Sequence, residues 1–371
     1  MRRSSSVWDF SSLLPVLSAE SVVSLGEGWT PLIRAERLGA KIGIRNLYIK
    51  DEGRNPTGSF KDRAISVAVS KAREFGARAM VTASTGNMAA SAAAYSARSG
   101  IPAHVLVAQG ATPLAKLIQT AVCGVTMVPV EGKTTDNAAS LALELVDRLG
   151  WYPLMTNSAI NPFTTEGAKT AAYEIASQLG GRAPDWMLIG LGGGQNISAH
   201  WKGFGELNLM DKTKTLPRMV AVQAEGCAPF VDAVKRGLSA EQITPWQDPQ
   251  TIAGGIADAK PWEASTALDA VRRSGGGAVA VSDQDLLKMV RSAAKNEGVF
   301  AEPAGAAGLV AAQKLREQGA IDSGDIVVCE VTAAGLKQID EVARSIELPE
   351  AIRPEFDEFR RKYLGAGSHK S

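Results

Sequence analysis

The stretch Asn55-Pro56-Thr57-Gly58-Ser59-Phe60-Lys61-Asp62-Arg63 puts one lysine behind a Gly-Ser turn. Lys61 stands at the mouth of a helical pattern that runs from Asp62 to Phe75 and meets Gly76 as a stop. A lysine fixed at a helix mouth, with its amine facing a cleft, can form a Schiff base with a carbonyl compound. A loop lysine feeding a surface helix would carry the same residues, so the rest of the chain has to decide.

Outward from this stretch, short apolar runs alternate with helical patterns from about Arg63 to about Arg344. Strands are expected at 79–82, 104–107, 125–130, 186–189, 220–223, 278–281 and 326–331, and helices at 87–99, near 114–122 and near 135–149. Such alternation predicts an α/β fold of doubly wound, mainly parallel sheets with helices on both faces. Ligands of such sheets bind at the carboxyl ends of strands. The loops after Thr82, Ile189 and Val331 sit at such ends.

Two of these loops carry chemistry. Gly192-Gly193-Gly194-Gln195-Asn196 joins a strand to a helix, and glycines there let backbone N–H groups close on a phosphate. Ser84-Thr85-Gly86-Asn87 opens a helix, where hydroxyls and N–H groups suit a carboxylate; the same residues also make an ordinary N-cap.

Taken together, the lysine stretch, these two loops, Leu25-Gly26-Glu27-Gly28-Trp29-Thr30-Pro31-Leu32 and Thr332-Ala333-Ala334-Gly335-Leu336-Lys337 resemble pyridoxal-phosphate enzymes of fold type II, the tryptophan-synthase-like family. Within it the chain is most similar to threonine synthases. The resemblance implies pyridoxal 5′-phosphate as cofactor, with Lys61 as its Schiff-base lysine and the catalytic proton carrier. It implies cofactor contacts from Asn87, from Gly192, Gly193, Gly194, Gln195 and Asn196 around the phosphate, and from Thr332 at the pyridine nitrogen. Ser84, Thr85, Asn87 and Met88 would hold the substrate, with Lys116, Asn157, Ser158 and Thr164 lining its far end. The family also implies a small mobile domain, residues 78–170, inserted between the two parts of a large one, residues 1–77 and 171–364. The tail 365–371 is expected to be disordered.

Several positions depart from threonine synthases. Thr164 stands where they tend to carry an arginine, and a hydroxyl cannot replace a guanidinium fork on a phosphate. Lys133 or Lys116 are candidate replacement cations. Gly193 stands for an asparagine and Gln195 for a glycine, so the phosphate cup is a variant. Ala333-Ala334-Gly335 replaces Gly-His-Gly. Glu302, before Pro303, reads as a charge at a helix N-terminus.

Composition narrows the field. The chain has 371 residues, with 40 basic and 39 acidic side chains, which gives no electrostatic case for nucleic acid or an acidic membrane. No apolar stretch reaches membrane-spanning length, and Met1-Arg2-Arg3-Ser4-Ser5-Ser6 lacks the apolar run of a secretory signal. Three scattered cysteines and three histidines offer no metal-ligand spacing and suit a reducing compartment. The expectation is a cytoplasmic homodimer without a metal. It would catalyse elimination or replacement on a small amino acid, as in converting O-phosphohomoserine to threonine and phosphate. Alternatives are a threonine or serine ammonia-lyase, a β-replacement enzyme of the cysteate synthase type, and a binding protein that kept the fold without catalysis.

Overall fold

A computed structural model describes residues 5–84, 86–108, 113–131 and 135–364, with 135 and 136 as backbone alone. In chain order the elements are β1 (Leu32–Arg34), α1 (Glu36–Ile42), β2 (Asn46–Asp51), α2 (Lys61–Glu74), β3 (Met80–Ala83), α3 (Asn87–Ser99), β4 (Ala103–Ala108) and α4 (Leu114–Ala121). Next come β5 (Thr126–Val130), α5 (Thr135–Leu149), β6 (Tyr152–Pro153), α6 (Pro162–Ala168), α7 (Thr170–Gln178), β7 (Trp186–Gly190) and α8 (Gln195–Leu209). The chain continues through β8 (Arg218–Ala224), α9 (Pro229–Arg236), α10 (Ala264–Arg273), β9 (Gly277–Val281), α11 (Asp283–Glu297), α12 (Ala307–Glu317), β10 (Ile326–Val331), α13 (Ile339–Ala343) and α14 (Phe356–Phe359).

Among the described residues the strands form two sheets. One has the order β1-β2-β10-β7-β8-β9, the other β5-β4-β3-β6. Every pairing is parallel except β1 with β2. The large sheet is buried on both faces, which explains the unbroken apolar runs of its strands. Successive residues of β7 feed opposite cores: Leu188 packs with Ile49, Val222 and Leu309, while Met187 and Ile189 pack with Ile197, Phe204 and Met219. The expected strands lie where the apolar runs placed them, to within a residue or two. β1, β2 and the two-residue β6 were not anticipated. β2 was hidden because it ends in Lys50 and Asp51, both buried in the fold.

Helix α2, which carries Lys61, is fixed by charge as well as packing. Arg63 is buried between two carboxylates: its Nε and Nη2 donate to Glu52 at 2.7 and 2.8 Å, and its Nη1 and Nη2 to Glu174 at 2.5 and 2.7 Å. Lys50 Nζ adds a contact to Glu174 at 2.8 Å. The cluster joins β2, α2 and α7 beneath the helix mouth. On another side α6 crosses α2 backbone to backbone, and a Cβ on Gly167 would lie 2.1 Å from the Arg63 carbonyl oxygen. Only glycine allows that approach.

Candidate active site

A cavity of about 750 Å³ is lined by the mouth of α2, the ends of β3 and β10, the start of α3 and the loop before α8. The large and small sheets both contribute to it. A volume of this size suits a cofactor with a small substrate.

Lys61 is the first residue of α2, and its side chain lines the cavity. Its Nζ donates to Thr156 Oγ1 at 3.4 Å and lies 4.6 Å from the Phe60 ring centre. Burial lowers its pKa to about 8, opposed by the Asp258 carboxylate and, once ionised, by Glu330. The turn before it is pinned twice to the end of β10: Phe60 N donates to the Thr332 carbonyl and Ala334 N to the Gly58 carbonyl, both at 3.0 Å. Gly58 has φ of 82°, which a side chain would strain. These two bonds set Lys61 beside Thr332, which also lines the cavity. Asp62 anchors the same turn by accepting from Thr57 N, Thr57 Oγ1 and Ser91 Oγ at 2.6–2.7 Å.

A depressed pKa makes the amine a nucleophile at lower pH than an ordinary lysine. Covalent capture of a carbonyl compound at Lys61 should therefore speed up as pH rises and level off just above about 8. Stopped-flow absorbance would read this. A rise that continues through the ordinary lysine range, near 10.5, would contradict the burial argument.

The glycine turn lies where β7 ends, and α8 begins at Gln195. Gly194 has φ of 99°. A Cβ on Gly192 would meet the Gly255 carbonyl oxygen at 2.6 Å and the Asp258 carboxylate at 3.2 Å; one on Gly193 would meet Asp258 at 3.3 Å. The turn is thus a bare backbone cradle facing the cavity. Gln195 and Asn196 line the cavity but direct their amides away from the cradle. Gln195 Nε2 donates to Thr164 Oγ1 at 2.5 Å, leaving its Oε1 buried without a partner among the described residues. Asn196 Nδ2 donates to Glu330 at 2.6 Å.

Across the cavity, α3 opens at Asn87, with Ser84, Gly86 and Met88 also in the wall. Thr85 falls outside the described residues, as do Lys133 and the tail 365–371. Asn87 Nδ2 donates to Glu302 Oε1 at 3.0 Å, and its Oδ1 is buried without a partner among the described residues. Glu302 also pairs with Lys116 Nζ at 3.0 Å. The expectation of Glu302 as a helix-end charge is corrected here: its side chain makes no cap and turns into the cleft, drawn by the Lys116 ammonium.

Two expected substrate contacts do not reach the cavity. Thr164 is fully buried, its hydroxyl engaged by Gln195 and by the Asn161 carbonyl at 2.8 Å. Ser158 donates its backbone N–H to Glu263 behind the glycine turn. Asn157, between Thr156 and Ser158, does line the wall. Asp258 and Glu263 were missed by sequence reasoning, and Glu302 was read only as a helix-end charge. A lone carboxylate in a loop carries no local signal, although the Gly254-Gly255 pair beside Asp258 marks a close backbone approach. No cluster of three potential metal ligands occurs among the described residues, and all three cysteines are free.

Similarity to known proteins agrees with this geometry. Residues 23–333 match the model of the pyridoxal-phosphate dependent enzyme family. This chain belongs to that family. It is 41% identical to the threonine synthase of Methanocaldococcus jannaschii over 97% of this chain and 87% of that one. To the threonine synthase of Methanosarcina acetivorans it is 40% identical over 97% and 87%. Among solved structures, processed threonine deaminase isoform 2 from Solanum lycopersicum superposes with a TM-score of 0.72 at 23% identity, over 92% of this chain and 94% of that one, which shows the type II fold. Membership fixes the cofactor as pyridoxal phosphate. The site fits it: a glycine cradle that side chains would fill, facing a cavity that also holds a lysine with a softened charge.

Proposed function

We propose that this protein is a threonine synthase-like lyase that removes and replaces a group at Cβ or Cγ of a small amino acid, with Lys61 as its catalytic residue. The observation that carries this is the convergence of the Lys61 amine, the glycine cradle, the start of α3 and Thr332 on one cavity. The curated relatives named threonine synthase, which match nearly the whole chain, support it. The bound cofactor supplies an electron sink for charge that develops on the substrate carbons. Gly192, Gly193 and Gly194 would cradle its phosphate, with Gln195 and Asn196 opening the helix behind. Asn87 and Thr332 would contact its ring, Thr332 with a neutral hydroxyl. Ser84, Thr85 and the Met88 N–H would hold the substrate carboxylate. Lys61, with a pKa close to physiological pH, can take a proton at Cα and return one further along the chain.

The leaving group is the open part. Thr164 is walled off, and Lys116 already answers Glu302. A phosphate dianion in this cleft would have to draw Lys116 from that pair. Lys116→Ala should therefore cut kcat/KM for O-phosphohomoserine by roughly 10- to 100-fold, the worth of one charge-assisted bond, and change a non-phosphorylated substrate far less. Equal losses on both would remove Lys116 from leaving-group recognition. The same pairing favours a second reading, ammonia elimination from threonine or serine. A panel of amino acids scored for phosphate and ammonia release separates the two, and no turnover of any of them would defeat both.

We also propose that residues 78–170 move as a small domain, supported by their own four-stranded sheet. We further propose a cytoplasmic homodimer; the pairing, though not the compartment, is supported by the exposed apolar stripe of Leu114 and Ile118 on α4 and Val122 at its C-cap. No helix among the described residues is long and apolar enough to cross a membrane.

A further inference from the structure

Behind the glycine cradle, outside the cavity lining, lie two groups that the proposed chemistry does not use. Glu330 is on β10, two residues before Thr332, and His200 is one turn after Asn196 on α8; both are fully buried. Glu330 Oε2 accepts from Asn196 Nδ2 at 2.6 Å and lies 4.0 Å from His200 Nε2. Glu330 Oε1 and His200 Nε2 have no hydrogen-bond partner among the described residues.

The tautomer follows from the other ring nitrogen. His200 Nδ1 lies 2.9 Å from the Asn196 carbonyl oxygen. A carbonyl only accepts, so Nδ1 carries the hydrogen. In the neutral ring Nε2 is then a bare lone pair, aimed at a carboxylate. Two acceptors facing each other in a dry interior are unfavourable, and one proton between them removes the conflict.

We propose that Glu330 and His200 share a single proton, and that this neutral pair positions Asn196 at the cradle and keeps a carboxylate charge away from the cofactor's phosphate. The proton resides on Glu330, whose O–H reaches Nε2 after a side-chain adjustment of roughly 1 Å. Burial favours the neutral form of both groups: it raises the Glu330 carboxyl to about 8 and lowers the His200 imidazole to about 4. The charged groups around the pair are Glu52, Lys50 and Arg63, which belong to the ion cluster under α2, and Lys61 on the cleft side. As pH rises through about 8, Glu330 ionises and a negative charge appears behind the cradle. Cofactor affinity should then fall.

The inference rests on residues 192–196 being the phosphate cup, so the test has one arm that needs the cup and one that does not. The pair itself is read in the wild-type holoenzyme by nitrogen NMR. His200 should show a neutral ring with Nε2 unprotonated, and the Nε2 signal should move towards that of a free lone pair through about pH 8. With three histidines in the chain, assignment is direct. An imidazolium ring near neutral pH, or an Nε2 signal blind to that titration, overturns the shared proton. The cup is tested by Glu330→Gln, which keeps the shape and cannot ionise. Its pyridoxal phosphate dissociation constant should equal that of the wild type at about pH 6.5 and be lower by about tenfold at about pH 9.5. A ratio independent of pH overturns the link to the cofactor even where the NMR arm holds.

Discussion

Lys61→Ala should lose turnover by roughly 10⁴-fold or more on every amino-acid substrate, because it removes the covalent attachment point and the proton carrier together. Loss of general acid–base help alone typically accounts for 10²- to 10⁴-fold, so a smaller drop would mean another residue moves the proton. Folding should survive: Lys61 is the first residue of α2, and the turn before it is held by backbone bonds to β10 and by Asp62. Far-UV circular dichroism and the urea midpoint should therefore match the wild type. The cofactor should still enter the glycine cradle and be removable by dialysis. A variant that keeps its colour after denaturation would place the attachment elsewhere.

Arg63→Met is the change with the largest expected effect on stability. It leaves Glu52 and Glu174 buried with Lys50 as the remaining cation of the cluster. Removing one partner of a buried ion pair typically costs ~3–5 kcal/mol. The loss should depend on pH, and its sign can be worked out. Burial alone would raise the Glu52 carboxyl; the Arg63 guanidinium, with help from Lys50 and the Thr30 hydroxyl, outweighs this and leaves it at about 2. A depressed carboxylate stabilises the fold above its unfolded pKa, near 4.5, and loses that contribution as pH falls towards 2. Without Arg63 the carboxyl takes up a proton more readily when folded than when unfolded. The gap between wild type and variant should therefore be full above the variant's raised folded pKa and narrow as pH falls from there towards 2. Urea unfolding at neutral and acidic pH measures it. A gap constant with pH would mean that Arg63 acts through its bulk. Should Arg63→Met not fold, Arg63→Lys keeps a charge without the fork and should show a smaller loss of the same sign.

Much of the fold could be read from the sequence because its strands are buried on both faces and stand out as apolar runs between turns. The helix starts behind Gly192-Gly193-Gly194 and at Asn87 were legible because strand-to-helix turns declare themselves by small residues. β2 was not, since its last residues, Lys50 and Asp51, look like a surface segment. The burial of Lys50 makes sense only with Glu174, 124 positions away, while Asp51 is held by Gly53 N and Arg54 Nε. The site divides along the same line. Lys61, Asn87 and Thr332 belong to local motifs, and the fold brings them to one cavity. Glu302, Asp258 and the Glu330–His200 pair act through partners distant in sequence, and no local pattern announces such contacts. Thr164 shows the opposite error. It occupies a position that a motif ties to substrate, while a hydrogen bond from Gln195 seals it behind the wall.

Borohydride reduction of the holoenzyme, followed by peptide mapping, tests the central claim most directly. Several lysines compete within or beside the cleft. Lys116 lines it, and burial also lowers Lys337, beside the Lys61 turn, to about 8, so a soft pKa alone does not single out the attachment site. Geometry does: Lys337 Nζ is turned to the Thr57 carbonyl at 2.8 Å, and Lys116 is held by Glu302. The cofactor mass should appear on the peptide containing Lys61 and on no other. A label on Lys116 or Lys337 would contradict this assignment and with it the roles given to Asn87, Thr332 and the glycine cradle.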